Sequence, residues 1–373
     1  MNHLRRGISS CVVGSGNWGS TIGKVLGENT KKYSSLFNEQ VNMYVYEEQV
    51  NNKNLSEIIN TEHENVKYLP GIKLPKNLIA ITDIVQAVKD SDIIFLVLPF
   101  QFIKPNLEKI KSVINKDAYA ITLAKGVYFD KETKNLTLIS QMIKKTLGIP
   151  CYSMMGANIA IEVAKGNLCE TTLGCDNAIH SDELIKILSN DNFLVQQSNE
   201  IVAIEMLGAL KNIYAFGYGL ISGSENVTNC TLSSLLRMSM VEMLTFIQEY
   251  CKKNSISFDD LKQLTMHSCS YSDLIASSLG GRNSRMGKLF STDFYKNSGQ
   301  TKTISEYEAE HLNGQKIQGT LTAEEVVKYL KSHNLEEKYP LMVIINDVAN
   351  KRAPPHEILN TMRKFKLNPN NIK

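Results

Sequence analysis

The chain has 373 residues, of which 43% are hydrophobic and 21% charged, so it is long enough for two globular domains and too apolar to be disordered. Its 41 Lys and Arg against 38 Asp and Glu leave a net charge of +3, which excludes the strongly basic surface typical of nucleic-acid-binding proteins. The seven Cys lack C-x-x-C spacing and the seven His are dispersed, so we expect free thiols in a reducing compartment and no metal site.

The N-terminus, Met1–Arg6, is weakly basic and precedes only a short apolar run. A secretory signal needs a longer apolar centre and a membrane span needs roughly 20 apolar residues, so we predict neither. We therefore expect a cytoplasmic protein that has no membrane partner.

Short β-branched runs alternate with longer helical patterns over the first two hundred residues. Continuous apolar runs are typical of strands covered on both faces by helices, and the alternation favours βαβ units in a mainly parallel sheet. The predicted strands are Ile8–Val13, Val41–Tyr46, Ile93–Leu98, Tyr119–Leu123, Cys151–Met155, Glu170–Gly174 and Phe193–Gln197. The predicted helices are Trp18–Gly27, Phe102–Val113 and Leu136–Leu147. The polar segments Thr30–Gln40 and Asn51–Lys76 are predicted to be loops.

The strand pattern stops after about Ser198, and a helical period of 3.6 takes over. The predicted helices are Ile201–Leu220, Leu232–Tyr250, Leu261–Leu279, Ala323–Leu330 and Leu341–Asn350. They are interrupted at Gly280-Gly281, at the polar stretch near Asn297–Thr303 and at Pro354-Pro355. The pattern predicts an α/β domain over residues 1–199 and an all-helical domain over residues 200–373, with a ligand expected in the cleft between such domains.

A glycine-rich turn follows the first predicted strand. Gly14-Ser15-Gly16-Asn17-Trp18-Gly19 matches G-x-G-x-x-G and opens a helix, the context in which the glycines allow a pyrophosphate to approach the backbone. The amide groups and the dipole of the helix start favour such an anion. The motif predicts a dinucleotide site, although a glycine-rich turn can also serve packing alone.

Carboxylates end the second predicted strand, at Tyr46-Glu47-Glu48. A carboxylate there would accept hydrogen bonds from a ribose and repel a 2′-phosphate, which favours NAD over NADP. Glu47 is the candidate for this role, its alternative being a solvated strand end, and we expect Glu48 to be simply exposed. The spacing from the glycines exceeds the usual ~20 residues, which we attribute to the predicted loop Thr30–Gln40.

A lysine occupies the apolar face of a predicted helix. Counting by three and four from Lys211 reaches only apolar or small residues: Ile204, Leu207, Gly208, Ala215 and Gly219. Small residues let another backbone or a ligand approach, and burial or a cationic neighbour would lower the pKa of Lys211 toward the range of proton transfer. The pattern equally fits a lysine that extends its ammonium group to solvent.

Three more charged residues stand at predicted element ends. Arg282 emerges from the Gly280-Gly281 turn, where its planar guanidinium suits a phosphate or carboxylate, or equally a surface helix cap. Asp273 is either a partner for such cations or an acid in the first turn of a serine-capped helix. Lys125 lies just beyond the carboxyl end of a predicted strand, where open α/β sheets bind ligands. Alternatively, it is simply a solvent-exposed lysine at a strand end.

Taken together, these segments resemble NAD-dependent glycerol-3-phosphate dehydrogenase of the soluble eukaryotic type. The matching segments cover nearly the whole chain and are Gly14–Gly19, Asn60–Pro70, Gly156–Asn158, Gly208–Asn212 and Gly280–Asn283. The resemblance implies a homodimeric cytoplasmic oxidoreductase of carbohydrate and glycerophospholipid metabolism, with an N-terminal Rossmann-like domain and a helical C-terminal domain. It also implies the interconversion of dihydroxyacetone phosphate and sn-glycerol 3-phosphate with NAD as the cofactor.

The resemblance further implies roles for individual residues. Lys211 would be the general acid and base, with Lys125, Asp273 and Asn212 around the reacting oxygen. The substrate would be bound by Arg282 and Asn283 at its phosphate, together with Gly281, Ser277 and Lys125. The cofactor would be bound by Gly14, Ser15, Gly16, Asn17, Trp18, Gly19, Tyr46, Glu47, Phe102, Lys125, Ala157, Arg282, Lys316 and Gln318, of which Lys316 and Gln318 belong to a segment that closes over it.

Two other functions fit parts of the same pattern. A two-domain hydroxy-acid dehydrogenase would share the glycine turn and the helical domain, but it would need a site for a carboxylate. A sensor that binds NADH without chemistry would share the cofactor site, but it leaves the set Lys125, Lys211, Asp273 and Arg282 unexplained.

Overall fold

The computed structural model describes residues 7–224, 227–256, 261–312 and 315–366. Met1–Arg6, for which no secretory signal was predicted, lies outside these residues. The strands are β1 (Ile8–Val13), β2 (Phe37–Tyr44), β3 (Gln49–Val50), β4 (Lys53–Asn54), β5 (Leu78–Ile81), β6 (Ile93–Leu96), β7 (Tyr119–Thr122), β8 (Val127–Asp130), β9 (Asn135–Leu138), β10 (Cys151–Met155), β11 (Cys169–Gly174) and β12 (Phe193–Ser198).

The helices comprise sixteen α-helical segments among the described residues and one π-helical turn, Ser268–Ser272. They are α1 (Asn17–Lys32), α2 (Leu55–Glu62), α3 (Ile84–Val88), α4 (Phe100–Ile110), α5 (Ile139–Leu147), α6 (Ala160–Ala164), α7 (Ala178–Leu188), α8 (Ile201–Ser222), α9 (Asn229–Lys253), α10 (Leu261–Thr265), α11 (Asp273–Gly280), α12 (Arg282–Lys296), α13 (Ile304–His311), α14 (Gln318–Ser332), α15 (Pro340–Ala349) and α16 (Glu357–Arg363).

The chain forms two compact units. Unit 1 contains the residues up to Ala124, then Ile139–Met154 and Asn158–Ile201. Unit 2 contains Lys125–Leu138, Met155–Ala157 and the residues from Val202 onward. The boundary between residues 199 and 200 stays a prediction.

Unit 1 is built on an eight-stranded sheet in the order β12-β11-β10-β7-β6-β1-β2-β5. The apolar runs predicted to be strands form it; β6, for example, is buried along its whole length, as expected for a strand covered on both faces. The strands pair in parallel, and Val13 stands beside both Tyr44 and Leu96. The segments that follow these three residues therefore lie at one edge of the sheet, the edge where parallel sheets bind ligands.

Two predicted loops in unit 1 are wrong. Thr30–Gln40 contains the end of α1, which continues to Lys32, and the start of β2 at Phe37, so a longer helix and strand account for the spacing after the glycines. Asn51–Lys76 contains helix α2, whose few apolar residues Leu55, Ile58 and Ile59 all face the interior. The polar composition of both segments concealed their narrow apolar faces.

Unit 2 is centred on α8, which is buried along almost its entire length. Its glycines allow close packing, because a Cβ on Gly219 would lie 2.0 Å from the carbonyl oxygen of Ser284 on α12. Helix α9 is the one helix of the described residues that is long and apolar enough to cross a membrane by length and composition. That property is weak support for a span, since α9 also contributes Met240, Met243 and Phe246 to the core of unit 2.

Two other predicted helices differ from the structure. The range Leu136–Leu147 is divided, because Leu136 and Leu138 alternate with polar residues in β9, which pairs with β8, and the helix begins only at Ile139. The range Leu261–Leu279 is broken by the π-helical turn, in which Ser270 has non-helical angles of φ −102° and ψ −112°. The predicted α/β class with a helical C-terminal region is confirmed, since no strand follows β12 among the described residues.

Candidate active site

The three glycines of the glycine-rich turn in unit 1 have different surroundings. Gly14 has φ +123°, and a Cβ there would lie 2.9 Å from the carbonyl oxygen of Val97. A Cβ on Gly19 would lie 1.9 Å from the carbonyl oxygen of Gly14, so this position also needs glycine for packing. Gly16 faces open space and is the N-cap of α1 with no side-chain cap, which leaves helix amides available to an anion.

Asn65, which was not assigned a role from the sequence, holds this turn in place. Its Nδ2 donates to the carbonyl oxygen of Ser15 and to the hydroxyl of Ser20, each at 2.8 Å, and it is fully buried. An asparagine in a polar segment carries no local pattern that reveals such a distant partner. The turn is thus fixed by side chains beyond the motif itself.

The residues after β2 differ from one another in their surroundings. The Tyr46 side chain is 72% exposed, and the Glu47 carboxylate accepts hydrogen bonds from the backbone N–H and the hydroxyl of Ser56. The expectation that Glu48 is simply exposed is wrong, because its carboxylate accepts from Lys67 Nζ at 2.5 Å and from the Tyr68 hydroxyl at 2.6 Å. The other predicted cofactor residue of unit 1, Phe102 on α4, is 53% exposed.

Unit 2 brings together four of the predicted site residues, three of them around the carboxylate of Asp273. Lys211 Nζ lies 2.6 Å from Asp273 Oδ1, and Lys125 Nζ lies 2.8 Å from Asp273 Oδ2. The Ser277 hydroxyl, one turn beyond Asp273 on α11, contacts Lys211 Nζ and donates to Asp273 Oδ1 at 3.3 Å. Asp273 therefore serves as a partner for cations, and Ser272, its alternative cap, makes no side-chain capping bond.

The electrostatics of this cluster follow from its burial. Desolvation, opposed by Asp273 and assisted by Lys125, lowers the pKa of Lys211 to about 7. For Asp273, burial opposes ionisation, but the two lysines outweigh it and hold the pKa of the carboxyl below its usual range. The cluster thus contains an amine that exchanges a proton near neutral pH beside a carboxyl group whose ionised form the two lysines favour.

A second group of predicted residues lies at the starts of α12 and α14. Asn283 Nδ2 donates to Asn212 Oδ1 at 3.0 Å, and Asn283 Oδ1 accepts from the backbone N–H of Gly319 at 2.8 Å. Arg282 begins α12 directly after Gly281, and its Nη1 donates to Gln315 Oε1 at 2.6 Å. This places Arg282 at a helix start, with a partner that the sequence did not suggest.

The predicted cofactor residues of unit 2 have identifiable neighbours. Lys316 Nζ forms an ion pair with Glu308 at 2.6 Å. Gln318 Oε1 is buried without a hydrogen-bond partner among the described residues, so it can accept from a ligand. The backbone N–H of Ala157 donates to the Ser268 hydroxyl at 3.0 Å. The structure thus groups the unit 2 residues, while the glycine turn, Tyr46, Glu47 and Phe102 belong to unit 1.

Comparison with known proteins identifies the same family in both halves of the chain. Residues 9–180 match the family model described as NAD-dependent glycerol-3-phosphate dehydrogenase N-terminus, and residues 200–360 match the corresponding C-terminus. Two cytoplasmic NAD⁺-dependent glycerol-3-phosphate dehydrogenases are similar to the chain. That of Drosophila melanogaster is 42% identical over 95% of this chain and 94% of its own length, and that of Homo sapiens is 39% identical over 95% and 97%.

Solved structures agree with this result. The glycerol-3-phosphate dehydrogenase of Plasmodium falciparum has a TM-score of 0.87 and 33% identity, with 98% of each chain covered. That of Saccharomyces cerevisiae has a TM-score of 0.84 and 33% identity, with 96% of this chain and 99% of the other covered.

Proposed function

The chain belongs to the NAD-dependent glycerol-3-phosphate dehydrogenase family, and from this premise we propose that it interconverts dihydroxyacetone phosphate and sn-glycerol 3-phosphate in the cytoplasm. It is an NAD-dependent oxidoreductase. The observation that carries the proposal is the buried Lys211 amine, which has an ionic partner and a pKa of about 7. We further propose a homodimer, as the resemblance implies.

The cofactor-binding role is assigned to the glycine turn and its surroundings. The open space at Gly16 and the uncapped start of α1 suit a pyrophosphate, and Asn65 keeps the turn in that geometry. Glu47 would accept hydrogen bonds from the adenosine ribose, with Tyr46 and Phe102 as exposed surfaces for the cofactor. Bound NADH supplies the hydride that reduces C2 of the substrate.

Lys211 would supply the proton in this reaction. As C2 is reduced, negative charge grows on its oxygen, and a donor within hydrogen-bond reach stabilises that charge. Among the described residues, the Lys211 ammonium group donates to Asp273 and Ser277. Since an ammonium group has three N–H donors, the third would be available to the substrate oxygen. In the reverse direction the neutral amine would accept the proton of the hydroxyl group.

The other members of the cluster would tune and support Lys211. Lys125 adds a second positive charge beside the developing alkoxide, and Asp273 holds both ammonium groups in position. Without Asp273, the two amines would repel each other and lose their common orientation. The cluster carries a net positive charge, which suits an anionic oxygen.

The substrate phosphate is assigned to Arg282, Asn283 and the backbone of Gly281. A guanidinium offers paired donors to a phosphate, and the start of α12 adds unpaired amide groups. Because the phosphate does not react, its binding energy can be used to fix the three-carbon chain for hydride transfer. Substitution of Lys211 should therefore chiefly lower kcat, whereas substitution of Arg282 should chiefly weaken binding of the phosphate-bearing substrate.

The direct test is NADH oxidation by the purified chain with dihydroxyacetone phosphate. We expect turnover with this substrate and none with β-hydroxy-acid precursors, and we expect Lys211→Ala to lower kcat by roughly 10²–10⁴-fold, as for the loss of a general acid. Lys331→Ala, on an exposed position of α14, is the control and should retain normal turnover. Binding of NADH without turnover, or near-normal kcat for Lys211→Ala, would refute the assignment.

A further inference from the structure

Helix α13 carries a buried carboxylate that has no part in the proposed chemistry. Glu308 is 3% exposed, and its two oxygens contact two consecutive residues. Oε2 pairs with Lys316 Nζ at 2.6 Å, and Oε1 accepts from the backbone N–H of Ile317 at 2.9 Å. A buried carboxylate is costly unless its charge is paired and its oxygens are hydrogen-bonded, and here both conditions are met by the same short segment.

The residues on both sides of this contact reach the groups assigned to the substrate phosphate. Gln315 accepts from Arg282 Nη1 at 2.6 Å, and the backbone N–H of Gly319 donates to Asn283 Oδ1 at 2.8 Å. Gly319 also packs closely, since a Cβ there would lie 2.3 Å from the carbonyl oxygen of Asn212. Glu308 therefore holds the middle of a segment, Gln315–Gly319, whose two ends touch Arg282 and Asn283.

We propose that Glu308 is a positioning residue: by fixing Lys316 and Ile317 it keeps the segment Gln315–Gly319 in place, and the segment in turn orients Arg282 and Asn283 for the phosphate. Glu308 itself touches neither substrate nor cofactor in this assignment. In Glu308→Gln, Lys316 would lose its ionic partner, and the backbone N–H of Ile317, a residue that is 1% exposed, would face a neutral amide oxygen that accepts more weakly than a carboxylate. This inference rests on the proposed function, because the phosphate role of Arg282 is part of that function.

The test compares two substrates that differ only in the phosphate. Glu308→Gln should lower kcat/KM for dihydroxyacetone phosphate by roughly tenfold or more, the effect of losing a hydrogen bond to a charged group. Because Lys316 and Gln318 of the same segment are assigned to the cofactor, both substrates are measured at saturating NADH. With dihydroxyacetone, which lacks the phosphate, kcat/KM should then stay unchanged, because orientation of Arg282 brings no advantage there. A general loss of folded enzyme would lower both values equally, and that outcome, or no change with either substrate, would overturn the inference.

A matched control is available in Glu242 on α9. Its carboxylate is fully buried and, like that of Glu308, contacts two consecutive residues: it accepts from the backbone N–H groups of Leu341 at 3.1 Å and Met342 at 2.8 Å. Burial raises the pKa of Glu242 to about 8, so Glu242→Gln replaces a largely neutral group and should change kcat/KM for the two substrates by the same factor. Activity of the unaltered chain is measured first, so failure of the proposed function is distinguished from failure of this inference.

A second readout is independent of catalysis. Amide hydrogen exchange at Ile317 and Gly319, measured on the full chain without substrate, should be faster in Glu308→Gln than in the unaltered protein. If Glu308→Gln does not fold, Glu308→Asp keeps the charge but is too short to keep both contacts, and the same two comparisons apply. Unchanged exchange at these two amides would contradict the positioning role.

Discussion

Burial determines the acidity of Lys211, and two charged neighbours adjust it. The amine sits among the apolar and small residues that the helical spacing predicted, and desolvation disfavours its charged form. Asp273 partly offsets this effect by attraction, whereas Lys125 reinforces it by repulsion. An amine with a pKa of about 7 is available both as an acid and as a base at the pH of the cytoplasm.

The pKa of Lys211 leads to a pH prediction with opposite signs for the two directions. Reduction needs the ammonium form, so kcat/KM for dihydroxyacetone phosphate should fall as the pH rises through about 7. Oxidation needs the neutral amine, so kcat/KM for sn-glycerol 3-phosphate should rise over the same interval. Steady-state profiles in both directions measure this, and two profiles with the same slope would contradict it.

Variants of the two charged neighbours provide the control for this assignment. Asp273→Asn removes the charge that raises the pKa of Lys211 and should move the reduction profile to lower pH. Lys125→Met removes the charge that lowers that pKa and should move the profile to higher pH. Shifts in the same direction would show that a different group titrates.

Arg282 has a separate kinetic role in the proposed mechanism. Arg282→Ala should weaken transition-state binding of the phosphate-bearing substrate by about 1.5–3 kcal/mol, the range for hydrogen bonds to a charged group. Arg282→Lys keeps the charge but loses the paired donors, so it should recover only part of this energy. Added guanidinium should restore activity to the alanine variant alone, and an unchanged KM together with no rescue would exclude the phosphate assignment.

Residues whose role depends on a pattern within one element could be predicted, while those that depend on a distant partner could not. The small residues around Lys211 follow helical spacing, and Gly14–Gly19 follows a motif. By contrast, Asn65 acts through Ser15, 50 positions away, and Glu308 acts through a turn of chain that returns to it. The residue types at such positions are compatible with an exposed surface, so only the folded chain reveals their function.

At the scale of the element, two glycines of the turn have different roles: Gly19 is needed for packing, and Gly16 leaves room for a ligand. A Cβ on Gly19 would collide with the backbone of Gly14, but a Cβ on Gly16 would meet no atom within 4 Å. We therefore expect Gly19→Ala to lower the free energy of unfolding by about 1–3 kcal/mol, as overpacking does. Gly16→Ala should leave stability unchanged and raise the Kd for NADH.

The two alanine variants control each other in this experiment. Urea denaturation reports stability, and titration of NADH fluorescence reports affinity. If Gly16→Ala binds NADH normally, then the open space beside Gly16 is not where the pyrophosphate lies. If both variants lose stability equally, the distinction drawn from the geometry is incorrect.

The elements themselves were predictable where apolar residues are continuous or strongly periodic. Strand β1 was predicted with its observed bounds, Ile8–Val13, because strands buried on both faces have few polar residues. Strand β5, Leu78–Ile81, was missed because it has only four residues and follows a polar segment. The break at Ser270 was also missed, since its hydroxyl contacts the carbonyl oxygens of Thr265 and His267 and no glycine or proline marks it.

At the scale of the whole molecule, the cysteines record which regions are shielded from solvent. None of the seven forms a disulfide among the described residues, six are buried, and Cys230 is exposed. Four of the buried thiols, at Cys11, Cys151, Cys169 and Cys175, belong to unit 1, which carries the glycine turn. Their modification requires unit 1 to open, so their reactivity reports the stability of that unit.

NADH should therefore protect these four thiols without affecting Cys230. A ligand that binds only the folded state at 100 times its Kd stabilises that state by about 2.7 kcal/mol, which would slow modification through complete opening about 100-fold. Maleimide labelling followed by mass spectrometry measures each thiol separately, and Cys230→Ser should remove the single fast reaction. More than one fast thiol in the native protein would contradict the burial of the other six, and unchanged rates at Cys11 and Cys175 with saturating NADH would contradict cofactor binding to unit 1.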